Sequence, residues 1–435
     1  TPDALLIASV AWTITAWSWS AWETRSTTPD AEGFYPLSAV RPSRLQWCLI
    51  WSLSGIAVLA KGPVGLVLPA SIIGGCELAR CWDTNPERSL IRRSIGSISR
   101  AIGSMSLPWA VICVLLVAGP WYLAVGLATD GRWLREFFFE HNVGRAMNSM
   151  EGHTGPGPLF YLMTILVGTF PWSAFALPVF LRAVHLARTH PASRPMFWLA
   201  MVWVVLFVAA FSLAATKLPS YITPCYPALA LVYGHWLWQV AVQPTSQPRW
   251  LVAGLLVGAA IGLSTVIAIG VLPFEPLGSL RLLSLVGLAM LSGSLLALAL
   301  ARRGMTQLAV RSYAVGAVLM VGLLFSLGPA LAGRSRADLA MLSERFATFP
   351  DEQYVALGGS EPSWIFYAAR PIPELDAEEL RMAADELQAG RCVIARTKQA
   401  HRLSDHCTER GIAVEQISAA PRFLEQDQIL LLRRR

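Results

Sequence analysis
The fold turns on residues 48–79, CLIWSLSGIAVLAKGPVGLVLPASIIGGCELA. A membrane-spanning helix needs about 20 apolar residues, so this run is long for one helix and short for two. Lys61-Gly62-Pro63 interrupts it. Proline removes a backbone donor and clashes with the preceding turn, which breaks a helix from inside. The run is therefore one interrupted span or a hairpin of two, and the charges around it decide which.

Other stretches of spanning length cover roughly residues 4–22, 103–125, 158–181, 196–214, 222–241, 250–272, 279–300 and 312–332. Cytoplasmic loops of membrane proteins carry an excess of Lys and Arg. Let the 80–102 loop, with Arg80, Arg88, Arg92, Arg93 and Arg100, face the cytoplasm. The 23–47 loop, with Arg25, Arg41 and Arg44, shares that face only if 48–79 is a hairpin. The same alternation places Arg182, Arg188, Arg194, Arg249, Arg302, Arg303 and Arg311 inside. Fifteen arginines then lie on the cytoplasmic side, against Arg132, Arg135, Arg145, Lys61 and Lys217 in the outer loops before residue 333. The chain reads as ten spans.

Composition agrees. Of the 435 residues 54% are hydrophobic and 14% charged, where a soluble protein carries roughly 25% charged residues. Seventeen tryptophans suit the aromatic belts at membrane surfaces. The formal net charge of +7 is what a cytoplasmic arginine excess produces, so it gives no reason to invoke nucleic acid. Only Lys61, Lys217 and Lys398 among the basic residues are lysines, which singles out the two in the membrane region. The seven cysteines show no metal-type spacing, and Cys392 and Cys407 are a conceivable pair if their region is extracytoplasmic. The chain opens on Thr1-Pro2-Asp3 directly before a hydrophobic stretch, without an initiator methionine or signal peptide. It reads as a piece lacking its N-terminus.

From about Arg334 the character changes to soluble α/β. Gln353–Leu357, Arg391–Arg396 and Ile429–Leu432 read as strands, and Leu375–Leu387 as a helix with Asp376 and Glu379 at capping-box spacing. Residues 1–332 are thus expected to be a transmembrane domain. Residues 333–435 are expected to be a small α/β domain outside, structural or lid-like in role.

The ten-span alternation puts Asp3, Lys61, residues 119–161 and Lys217–Tyr221 on one face, the outer one. Asp3 has the ordinary reading of a helix N-cap and the alternative of a carboxylate lining a surface cavity. Lys61 could snorkel from a helix end, but intramembrane charges usually mark a site, and the adjacent Gly-Pro break suits a protein-lined cavity. Lys217 repeats the arrangement, a lone lysine at an outer helix end before Pro219. Two such lysines make a candidate anion site suited to phosphate. In the long loop, Trp133–Arg145 has a helical pattern with Phe137, Phe138 and Phe139 as an apolar band, as in an interfacial amphipathic helix. Glu140, His141 and Arg145 add a carboxylate, a histidine and a cation; histidine beside a carboxylate is either a satisfied polar group or a ligand and proton carrier.

Taken together these stretches resemble the polyprenyl-phosphate-sugar glycosyltransferases of the GT-C class, closest to the lipid A aminoarabinose transferases and the protein O-mannosyltransferase superfamily. The likeness runs in order through Asp3, Ala60-Lys61-Gly62, Pro120-Trp121, Phe137–Arg145, His153, Tyr161, Phe170-Pro171-Trp172 and Lys217-Leu218-Pro219-x-Tyr221. The resemblance implies an α-helical polytopic membrane enzyme with a small C-terminal extracytoplasmic α/β domain. It implies transfer of a sugar from a polyprenyl-phosphate donor to a lipid A-like lipid or a protein, on the outer face of the inner membrane. Lys61, Arg145, Lys217 and Tyr221 would meet the donor phosphate, Asp3 would be a secondary catalytic carboxylate, and His141 would bind a divalent metal ion. Glu140 and His153 are further candidates; no nucleotide cofactor is expected. Such enzymes have about thirteen spans, so three spans and the acidic first loop with the principal base would lie upstream of Thr1. Glu23-Thr24-Arg25 only echoes that loop's motif, on the wrong face. A transporter for a lipid-linked anion and a non-catalytic membrane scaffold are the alternatives.

Overall fold
The computed structural model describes residues 2–30, 33–82, 85, 89–139, 157, 159–215, 217–242, 248–270, 281–422 and 427–435. The chain divides into two compact units, Thr1–Gly258 with Leu295–Ser312, and Ala259–Ser294 with Tyr313–Arg435. The first holds helices α1 (Pro2–Ala21), α2 (Arg44–Lys61), α3 (Val64–Arg80), α4 (Leu90–Ser104), α5 (Leu107–Ala128) and a short α6 (Arg132–Arg135). It continues with α7 (Phe160–Gly168), α8 (Ala176–Thr189), α9 (Arg194–Leu213) and α10 (Tyr226–Val242). The helices that follow are α11 (Pro248–Gly270), α12 (Ser284–Arg302) and α13 (Thr306–Ser335).

The hairpin expected at 48–79 is present. Ser43 accepts from the Gln46 amide and the Gln46 side chain accepts from the Ser43 amide, a capping box that opens α2. Gly62, at φ 72°, ends the helix in a backbone region that few other residues enter cheaply. The chain then doubles back: Ser54 Oγ donates to Gly65 O at 2.9 Å, and Arg80 Nη2 donates to Val40 O at 3.0 Å, just before α2 begins. A Cβ on Gly65 would stand 2.2 Å from the Ala57 carbonyl carbon, so the two backbones touch. Helices in lipid associate by such close approach, because burial of apolar surface gives no net drive there.

α1 packs its Leu6, Val10, Ile14, Trp17 and Ala21 stripe inward, all nearly fully buried. Its upper half meets Ala57, Leu68, Ile72, Tyr161, Trp203, Phe207 and Ile222, and its lower half meets Trp47, Ile50, Trp51, Ile73, Cys76 and Met105. α4 lies in what the sequence suggested was a plain loop. The α4–α5 corner, with Ser106 at φ 50°, is held by Trp51 Nε1 donating to Met105 O at 3.2 Å.

Six described helices are long and apolar enough to cross a membrane: α1, α5, α9 and the α11, α12 and α13 segments. The stretch expected as one span over 158–181 is instead α7 and α8 joined through the tight turn Trp172–Phe175 and bent by 111°. Pro171, after a cis peptide bond, sits at the break. It cannot donate to the preceding turn. Counted as one, the pair makes a seventh span. The expectation of ten also counts α2, α3 and α10, which at 18, 17 and 17 residues are near the short end of spanning length.

In the second unit, small residues again set the helix spacing: Gly262 and Gly287 meet across α11 and α12, and Gly316 of α13 lies against Gly293. The C-terminal region is a five-stranded sheet in the order β4-β3-β5-β7-β6, where β1 (Trp22–Thr24) and β2 (Leu37–Ala39) are an antiparallel pair of the first unit. β3 is Tyr354–Leu357, β4 Glu374–Leu375, β5 Cys392–Arg396, β6 Val414–Pro421 and β7 Gln428–Arg434. β3 runs parallel to β4 and β5, while β7 is antiparallel to β5 and β6. Alternate side chains feed two cores. Val355, Leu357, Val393 and Ala395 meet α16 (Leu380–Gln388) and α17 (Thr397–Glu409). Tyr354, Ala356, Cys392 and Ile394 meet α14 (Ala337–Thr348) and α15 (Pro362–Ala368).

That alternation corrects the disulfide idea. Cys392 belongs to one core and Cys407 to the other, and both are free. The capping box expected at Asp376 is half present: Glu379 accepts from the Asp376 amide at 2.8 Å, but this closes a turn, and the helix starts at Leu380. Arg345 ties α14 to the sheet. Its Nε donates to Glu352 Oε2 at 2.8 Å, its Nη2 to Oε1, and its plane lies 3.6 Å from the Phe349 ring centroid. Burial acts to raise the Glu352 carboxyl, but hydrogen bonds from Arg345 and Tyr354 and the charges of Arg345 and Arg433 outweigh it and hold the carboxyl below its ordinary value.

Gly65→Ala is expected to lower the unfolding midpoint of the purified protein, by an overpacking cost of about 1–3 kcal/mol. Gly234→Ala, where a methyl meets nothing within 4 Å, is the unaffected control. Because Glu352 is depressed in the folded state, its contribution is present at neutral pH and is lost as pH falls below the ordinary 4.5 and through the folded value. Glu352→Gln should therefore speed amide exchange across Tyr354–Leu357 at pH 7, by a loss of about 1–2 kcal/mol. The gap from the parent should close as pH falls below 4.5 and through the folded value.

Candidate active site
Two residues 58 positions apart in sequence meet at the α1–α2 ends: Lys61 Nζ forms an ion pair with Asp3 Oδ1. α1 starts at Pro2, where Asp3 sits in the first turn and suits the positive helix end. Lys61 is the last residue of α2, delivered by the Gly62-Pro63 break. The side chains are 31% and 34% exposed, and an ion pair that open to solvent contributes at most about 1 kcal/mol to stability. The pair is therefore a poor candidate for a structural clamp.

Tyr221 completes the cluster. Its ring lies 5.2 Å from Lys61 Nζ, within cation–π range, and packs tilted against Phe211 of α9 at 5.0 Å. It is placed by the turn Pro219–Cys225, which Pro219 opens and whose Ile222 and Cys225 are fully buried against the α1 stripe. Tyr161 of α7 is also fully buried there.

Beside the cluster lies a cavity of about 860 Å³ walled by Pro63, Val64 and Leu68 of the hairpin, Phe211 of α9, and Leu134, Arg135 and Phe138 beyond α5. The two features share their walls: Pro63 follows Lys61 by two residues, and Phe211 carries Tyr221. Arg135 is the charged group among the described residues of this lining. The aromatic band expected to lie at the membrane interface packs onto α5. Trp133 packs edge-on to Trp121 at 5.1 Å and stacks on Phe137 at 4.7 Å, and Tyr122 touches Phe137 and Phe138. Tyr122 in turn donates to Val58 O at 3.0 Å, tying this wall to α2.

The structure thus brings together Asp3, Lys61 and Tyr221. Lys217 is placed differently from the expectation of a paired cation: its Nζ donates to Ala214 O at 2.9 Å, capping the end of α9. Glu140, His141, Arg145 and His153 lie outside the described residues. Among those described, no group of three or more His, Cys, Asp and Glu side chains could hold a metal ion. Sequence reasoning pointed to a cavity at the Gly62-Pro63 break but missed its lining, because Val64, Leu68 and Phe211 look like any span residue when read one at a time. The Pro63 break was the available signal.

No protein-family profile matches the chain. Over 234 residues it is 29% identical to the undecaprenyl phosphate-alpha-4-amino-4-deoxy-L-arabinose arabinosyl transferase of Pectobacterium carotovorum subsp. carotovorum, a match covering 53% of this chain and 37% of that protein. With the enzyme of the same name from Pseudomonas paraeruginosa it shares 34% over 200 residues, 46% of this chain and 32% of that one. The chain therefore spans little more than a third of the curated relatives it matches. Among solved structures it superposes on ArnT from Cupriavidus metallidurans bound to undecaprenyl phosphate, with TM-score 0.69 and 19% identity, covering 99% of this chain and 74% of that one. The apo form gives TM-score 0.68 at 20% identity. The chain has the fold of ArnT, that of a multi-span membrane protein with a small C-terminal α/β sheet domain.

Proposed function
We propose that the protein is a membrane glycosyltransferase that moves an aminopentose from a polyprenyl-phosphate carrier to lipid A at the outer face of the inner membrane. The observation that carries this reading is the Asp3–Lys61–Tyr221 cluster standing at the wall of an apolar cavity of about 860 Å³. A lipid-linked sugar phosphate has the same two halves, an apolar tail and a compact anion. The names of the sequence relatives specify the sugar and carrier used by those enzymes.

In the reaction an acceptor oxygen attacks the anomeric carbon, the bond from that carbon to the carrier phosphate oxygen breaks, and the carrier leaves as a phosphate monoester. Negative charge grows on that phosphate, so a cation held beside it lowers the barrier. Lys61 is placed for this. Asp3 holds the ammonium in position in the resting protein. When the donor phosphate takes the ammonium, the freed carboxylate is available to orient the acceptor or take its proton. Tyr221 presents a ring to the cation and a hydroxyl to the sugar or phosphate. Val64, Leu68, Phe138 and Phe211 exclude water and seat the part of the chain next to the phosphate. Arg145 and Lys217 are further phosphate contacts in this proposal, and Glu140 and His153 are additional candidates.

No step is routed through a metal. His141 is proposed as a divalent-ion ligand, and its test is composition: His141→Ala should lower the metal content found by elemental analysis, and unchanged content rejects the role.

The main test uses the full-length protein, a radiolabelled polyprenyl-phosphate sugar and lipid A or a protein as acceptor. Label is expected in lipid A. Lys61→Ala should reduce transfer by about 10²–10³-fold, the scale for losing one charge-stabilising donor, with membrane insertion and unfolding midpoint unchanged. Full activity of that variant would sink the site assignment. Donor carried across the membrane without transfer would favour the transporter alternative.

A further inference from the structure
The far end of the α2–α3 hairpin holds a second cavity, of about 420 Å³, between Val40–Pro42 and the C-terminal ends of α3 and α4. Three guanidinium groups line it, Arg41, Arg80 and Arg100, with one carboxylate, Glu77. Glu77 is buried and its oxygens are taken. Oε1 accepts from Trp17 Nε1 at 3.2 Å and Arg80 Nη1 at 2.6 Å, and Oε2 accepts from Ser104 Oγ at 3.0 Å. Arg80 and Arg100 are fixed in the wall: Arg80 Nη2 holds Val40 O, and Arg100 Nη2 holds Cys81 O at 2.9 Å and Ser97 Oγ at 3.2 Å. Arg41 is exposed and makes no hydrogen bond or ion pair among the described residues. The described lining therefore keeps an excess of positive charge on forks shaped to grip phosphate oxygens.

α4 is a second, independent observation. Its Ser97 is fully buried and Arg100 and Ser104 face the cavity, while Ile91, Ile95, Ile98 and Ile102 form a stripe on the other side that is 46–71% exposed. A helix of a soluble protein turns its apolar stripe toward the core. This one turns it away, and hydrocarbon covers such a face when the helix lies at a membrane surface. The cavity behind it then sits at the depth of the lipid headgroups, on the face the arginine-rich loops mark as cytoplasmic, where anionic lipids concentrate.

We propose that this cavity binds the headgroup phosphate of an anionic phospholipid, with Arg41, Arg80 and Arg100 as its counter-charges and the acyl chains along the isoleucine stripe of α4. α3 is 17 residues long, so the site lies about 25 Å from Lys61 and does not depend on the glycosyltransferase reading. Its physical role is to anchor the hairpin end to the inner leaflet.

The test is thermal unfolding of the purified full-length protein in a mild non-ionic detergent, titrated separately with phosphatidylglycerol, phosphatidylcholine and inorganic phosphate. Phosphatidylglycerol should raise the midpoint saturably, less so at high salt, and the other two should not. Arg41→Gln alters no described contact, and it should weaken the apparent affinity roughly fivefold, the scale for one basic residue near an anionic surface; Arg100→Gln is the second variant. Equal shifts with phosphatidylcholine, or parent-like affinity in both variants, overturn the proposal. A shift with inorganic phosphate equal to that with phosphatidylglycerol overturns the lipid as the source of the phosphate.

Discussion
The contact of two backbones at Gly65 governs the first unit. With no side chain there, α3 lies directly on the Ala57–Val58 turn of α2, and Ser54 can reach the Gly65 carbonyl. That contact sends the chain back the way it came. It leaves Lys61 at one tip, within reach of Asp3, and returns Arg80 to Val40 at the other. Both charged clusters are consequences of the same fold-back.

The two clusters treat charge in opposite ways. Glu77 is 3% exposed, and taking a carboxylate out of water costs several kcal/mol unless its lone pairs are filled. An indole, a guanidinium and a hydroxyl fill them, so the group is committed and its geometry is fixed. Asp3 and Lys61 remain about one-third exposed, and neither is saturated. A saturated carboxylate organises a wall, whereas an open pair can exchange one partner for a ligand. The proposed chemistry uses the second.

Legibility in sequence followed the strength of the local signal. The hairpin was readable because Gly62-Pro63 leaves a helix no continuation and the arginine count fixed its sense. The strands at 354–357, 392–396 and 428–434 were readable as short runs of β-branched and aliphatic residues. β6 was not, because a half-exposed edge strand such as Val414–Pro421 alternates weakly. The bend between α7 and α8 was missed because Phe170-Pro171-Trp172 sits inside an otherwise unbroken apolar run. α4 was passed over because arginines and serines interleave with its isoleucines; the 91, 95, 98, 102 spacing was the signal. Asp3 and Lys61 could each be nominated from sequence, but their meeting across 58 residues is a fact of packing.

The scarcity of lysine gives the Asp3–Lys61 pair a chemical signature. Arginine stays protonated throughout the accessible pH range and resists acylation, so nearly all of the protein's positive charge is inert to amine reagents. Of the three lysine amines, Lys398 belongs to the C-terminal sheet domain, and Lys217 donates to the Ala214 carbonyl. Lys61 is partly open to solvent and held by a carboxylate that the donor phosphate would displace in the proposed reaction. Occupancy of the pair is thus written into the reactivity of one nitrogen atom, legible against an almost silent background.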